Sequence, residues 1–118
     1  MALRLNWNGW QGNDWCNLLT VSLDQKQFKY MDGVYIIWRG GQTPKVLRVG
    51  QGFIKDRLHA HRNAPEMLRY KPYGLFVTWA SVPQNHQDGV ERFLSETLKP
   101  EVGSRYPNAS PIEVNMPW

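Results

Sequence analysis

At 118 residues and 42% apolar content, the chain has material for one modest hydrophobic core and not for two, so a single domain is expected. Its only cysteine, Cys16, excludes an intrachain disulfide and a thiol-rich metal site, which suits a reducing interior. The net charge of +4 is concentrated: Lys45 to Lys71 carries seven basic residues against Asp56 and Glu66, a local charge of +5, while everything else sums to −1.

Such a basic stretch suits a phosphate-binding surface, because neutralising phosphates and releasing their counterions supplies most non-specific nucleic-acid affinity. A solvated basic face that aids solubility is the plain alternative. The N-terminus lacks the long apolar stretch of a signal peptide, and the longest apolar run, Val34 to Trp38, is too short to cross a bilayer. A cytoplasmic protein without a membrane partner is expected.

In chain order, residues 1 to 30 read as irregular, with Asn6, Asn8, Gly9, Gly12 and Asn13 interrupting Trp7, Trp10 and Trp15. Leu18 to Leu23 fits either a short strand or a helical turn. Gly33 to Trp38, rich in β-branched and aromatic residues, predicts a strand that turns at Arg39-Gly40-Gly41 and pairs with Lys45 to Val49. Gly50-Gln51-Gly52 reads as a break before a helix from Phe53 to about Asn63. On that helix Phe53, Ile54, Leu58 and Ala60 set an apolar side, and the 100° step places Arg57 and His61 facing inward.

Residues 64 to 74 read as a connection, Gly74 to Ala80 as a third strand, and Asp88 as the cap of a helix that runs to Leu98 before Pro100. The helix carries Val90, Phe93, Leu94 and Leu98 on one side and an Arg92/Glu96 pair on the other. The expected fold is α/β of the α+β kind: a small central antiparallel three-stranded sheet flanked by helices. Its core spans about residues 33–103, with an N-terminal extension over 1–30 and a wrapping tail over 104–118.

The order of strand, turn, strand, glycine-rich stretch, helix, strand and helix carries a resemblance. Gly33-Val34-Tyr35 is similar to the first tripeptide of the GIY-YIG nuclease superfamily, and Arg48-Val49-Gly50 stands where the second tripeptide belongs. Arg57 falls at the place of that family's arginine, and Glu91, in Glu-x-x-Leu-x-x-x-Leu-x-Pro, at that of its metal-binding glutamate. The pattern departs at two points: Arg48 replaces the second tyrosine, and Gly103 stands where an asparagine is frequent.

The resemblance implies a metal-dependent endonuclease that hydrolyses phosphodiester bonds, with DNA the expected substrate. Tyr35 would activate water, Arg57 would hold the scissile phosphate bidentately, and Glu91 would bind a single Mg²⁺ or Mn²⁺ with waters and phosphate oxygens completing its shell. Arg48 would favour the phenolate of Tyr35 or grip a phosphate oxygen, and His61 would bond phosphate or relay a proton. Gln51, Lys55, Arg62, Arg69 and Lys71 would line the nucleic-acid backbone. Trp7, Trp10, Trp15 and Trp79 are candidates for stacking on unpaired bases. The alternatives are a binding module that has lost catalysis, or a protein-interaction domain whose tryptophan-rich N-terminal segment docks on a partner; self-association is also open.

Overall fold

A computed structural model describes residues 2–11, 14–103 and 106–118; Gly12 and Asn13, two of the residues read as interrupting the N-terminal tryptophans, lie outside the described residues. The strands are β1 (Trp10–Gln11), β2 (Asp14–Asn17), β3 (Asp32–Arg39), β4 (Lys45–Phe53) and β5 (Leu75–Ser81). The helices are α1 (Ile54–Arg62), α2 (Pro65–Leu68) and α3 (Gln84–Leu98), with 3₁₀ turns at Lys26–Phe28 and Lys71–Tyr73.

The sheet corrects the three-strand expectation. It has four strands in the order β2-β5-β3-β4, all antiparallel, and the two-residue β1 adds a short fifth beside β2. The strand missing from the sequence reading is β2, whose Cys16 and Asn17 pair with Val77 and Phe76 of β5. Asparagines and tryptophans gave that segment no strand period. What makes it extended is the free edge of β5, which satisfies its backbone groups.

The central strand explains its own composition. Gly33 to Trp38 are all buried because β3 is paired on both edges and covered on both faces. Tyr35, Ile37, Val77 and Trp79 face a core closed by Leu18, Phe28, Ile54, Leu58 and Met67. Val34, Ile36, Trp38 and Ala80 face a second core closed by Val90 and Leu94 of α3, together with Leu5 and Val114. The N-terminal segment and the tail are fastened to each other by the Asn115 side chain, which accepts from Leu5 N at 2.7 Å and donates to Leu5 O at 3.0 Å.

Three further expectations change. Gly50-Gln51-Gly52 does not break the strand; β4 runs through it to Phe53, with Gly50 opposite Tyr35 and Gly52 opposite Gly33. On α1 the buried side is Ile54, Leu58 and His61, whereas Phe53, Arg57 and Ala60 are exposed, so only one of the two polar residues faces inward. Helix α3 starts at Gln84, after Pro83, a turn earlier than Asp88. Its end follows the sequence: Lys99 takes a left-handed conformation (φ 48°) just before Pro100. Among the described residues no helix is long and apolar enough to cross a membrane.

Candidate active site

The residues with chemical potential gather along the outer strand β4, between α1 on one face of the sheet and α3 on the other. Alternation along β4 sends Arg48, Gly50 and Gly52 toward α1, and Val49 and Gln51 toward α3. The two glycines are the floor of the α1 side. A Cβ at Gly50 would collide with the Tyr35 hydroxyl and ring carbon Cζ, and one at Gly52 would press on the Arg57 stem at 3.4 Å from Cγ. Gly52 also has φ +124°, which L side chains rarely adopt. Gly-x-Gly inside a strand is the local signal for this floor, since alternation puts both glycines on one face.

Over that floor Tyr35 and His61 meet. The Tyr35 hydroxyl lies 2.6 Å from His61 Nε2, with Tyr35 fully buried and His61 6% exposed. Burial, reinforced by the charges of Arg48 and Arg57, pushes the His61 pKa down to about 4, so its imidazole is neutral near pH 7 and shares one hydrogen bond with the Tyr35 hydroxyl. Burial raises the Tyr35 pKa, while Arg57 beside the hydroxyl, and then the charge of Arg48, pull against it. Arg57 is exposed and forms no ion pair among the described residues.

On the α3 side, Gln51 donates to Asp88 Oδ1 at 2.7 Å and lies against Glu91. Glu91 is 8% exposed; burial raises its pKa, opposed by the Gln51 amide and by the charges of Arg48 and Arg57, while Asp88 raises it further. Two carboxylates one turn apart on the rim of the site are therefore partly compensated by an amide and two guanidiniums. Among the described residues no three His, Cys, Asp or Glu side chains cluster as metal ligands. Glu91 and Asp88 are the carboxylates on this rim that could face a cation.

Tyr35, Arg48, Arg57, His61 and Glu91 thus share one neighbourhood, linked by contact or by the reach of their charges. The remaining basic residues do not form one free face. Lys55 pairs with Asp24 at 3.3 Å, and Lys45 with Glu101 at 3.0 Å. Arg62 donates to the carbonyls of Leu18 and Val21, bracing the turn after β2. Arg69 stacks on Tyr70, 4.9 Å from the ring centroid, and Lys71 opens an exposed 3₁₀ turn.

The tryptophans divide likewise. Trp79 is buried against Phe28 and is closed to bases, and Trp7 donates to Asn115 O. Trp15 packs edge-to-face with Trp10, Trp38 and Trp118, and a groove between Trp15, Trp38, Trp118 and Lys45 shares no residue with the cluster around Tyr35. The chain matches no protein-family model, no curated protein and no solved structure.

Proposed function

We propose that this chain is a metal-dependent phosphodiesterase acting on nucleic acid, in the manner of a GIY-YIG nuclease, with DNA as its substrate. The observation that carries the reading is the meeting of Tyr35 of β3 with His61 and Arg57 of α1, over a floor of two β4 glycines, with Glu91 of α3 on the far rim. A buried phenol held by a neutral imidazole, flanked by two guanidiniums and a carboxylate, offers the parts phosphodiester hydrolysis needs. These are a proton acceptor, cations for the charge that develops on phosphate, and a carboxylate for a metal.

The chemistry follows from these groups. Arg57, exposed and without an ion-pair partner among the described residues, takes the scissile phosphate, and Arg48 adds a second positive charge. Tyr35 has no exposed surface, so the movement of Arg57 toward phosphate is the step that opens the hydroxyl to water. As water oxygen bonds to phosphorus, its proton passes to the Tyr35 oxygen while the phenolic proton moves to His61 Nε2. The bond from phosphorus to the leaving sugar oxygen then breaks, and that oxygen takes a proton from solvent water. Glu91 would hold a divalent ion, Mg²⁺ or Mn²⁺, which would supply Lewis-acid stabilisation of the phosphate.

The test is incubation of the purified chain with labelled duplex, single-stranded and branched DNA, with Mg²⁺ or Mn²⁺ against chelator, beside Tyr35→Phe, Arg57→Ala and Glu91→Ala. Metal-dependent cleavage that all three substitutions abolish is the expected result. Salt-sensitive binding without cleavage by any of the four proteins would replace the enzyme with a binding module on the same surface.

A further inference from the structure

The segment after α3 is fastened along the outer edge of β4. Val102 N donates to Leu47 O at 2.7 Å, Glu101 N to Val46 O at 3.2 Å, and the Glu101 carboxylate pairs with Lys45. This brings Gly103, at φ +80°, against Arg48: a Cβ at position 103 would stand 2.7 Å from Nη1 and 3.0 Å from Cζ of the guanidinium. A side chain there meets two obstacles, a left-handed backbone and the flat end of an arginine. Arg48 lies opposite Ile37 in β3, two positions before the pair of Gly50 with Tyr35 and on the same face.

We propose that Gly103 is a positioning residue: by lacking a side chain it lets the Arg48 guanidinium settle beside Tyr35, where that guanidinium is the second phosphate-binding cation of the site. The proposal rests on the phosphodiesterase reading above. It links two positions far apart in the chain, since a side chain at 103 would crowd the Arg48 guanidinium in the place it now occupies. The charge of Arg48 reaches Tyr35, His61 and Glu91 from that place. Displacing it removes a cation from the site without touching Arg57.

The experiment is a double-mutant cycle of Gly103→Ala, Arg48→Ala and the double variant. Affinity for a short duplex oligonucleotide is read by fluorescence anisotropy in chelator, and the Arg48 Nε–H resonance by NMR. The expected result is an affinity loss of about fivefold from Gly103→Ala when Arg48 is present and almost none when it is alanine, with a shift of the Arg48 resonance. An equal loss in both backgrounds, or no loss in either, overturns the proposal by reducing Gly103 to a backbone requirement or to nothing. If the wild type binds no oligonucleotide, the nucleic-acid reading and the cation role of Arg48 fall together. The positioning contact is then judged by the resonance alone, and an unmoved resonance overturns it too.

Discussion

The Tyr35 hydroxyl and His61 Nε2, 26 positions apart in the chain, lie 2.6 Å from each other inside the core between the sheet and α1. Each is the other's polar partner in a setting that offers little water, so the pair serves stability as well as chemistry. A buried donor or acceptor left unsatisfied costs about 1–3 kcal/mol. Tyr35→Phe keeps the ring but strands His61 Nε2; it should lower unfolding free energy by about 1–2 kcal/mol in urea titrations and abolish cleavage. Loss of stability with cleavage intact would remove Tyr35 from the chemistry.

The depressed pKa of His61 makes stability depend on pH. Because its folded pKa, about 4, lies below the unfolded value of 6.5, the unfolded chain takes up the proton first as pH falls. His61 therefore contributes destabilisation that grows from pH 6.5 down to about 4 and is absent above. The shift corresponds to roughly 3 kcal/mol at most. Glu91, raised by burial, opposes it, favouring the folded state as pH falls through its folded pKa toward the unfolded value of 4.5. Urea midpoints at pH 7.5 and 4.5 for wild type and His61→Gln should show a difference that the substitution shrinks; an equal acid loss in both would assign it elsewhere.

Gly50→Ala places a methyl group on the Tyr35 hydroxyl, and Tyr35 has no exposed surface toward which to move. Overpacking of this kind costs about 1–3 kcal/mol. A lowered melting temperature together with loss of the Tyr35–His61 contact, read from the His61 imidazole resonances, is expected. Unchanged stability would mean that the strand gives way more readily than its pairing with β3 implies.

Glu91→Gln removes a charge that burial disfavours, so it should leave stability equal to or above wild type while ending metal-dependent cleavage. Thermal melts with and without Mg²⁺ give the check. Wild type should gain stability from the ion and the variant should not; equal gains would place the ion elsewhere.

Arg57 and Arg62 lie five residues apart on one helix and should behave oppositely. Arg57→Ala should reduce the slope of log affinity against log salt by about 1 and leave stability near wild type. Arg62→Ala frees the carbonyls of Leu18 and Val21 and should destabilise the fold with little change in that slope. The reverse pattern would move the phosphate contact to Arg62.

The hairpin of β3 and β4, the strand β5 and the two longer helices were legible because their residues carry local periods: a β-branched run at Gly33 to Trp38, and apolar spacing at Val90 and Leu94. Tyr35, Arg57 and Glu91 were candidates through the resemblance to the GIY-YIG pattern, and His61 through its place one turn after Arg57 on the same helix. What the chain by itself determined is therefore the type of each long element and the charge concentrated between Lys45 and Lys71. Tertiary structure alone decided the rest. Asp14–Asn17 is a strand only because β5 offers it an edge, and Arg62 and Lys55 are tied up only because the turn after β2 and Asp24 lie beneath them. Gly50, Gly52 and Gly103 matter through side chains that arrive from elsewhere in the chain. Backbone edges and empty Cβ positions are defined by what packs against them, and no local period encodes that.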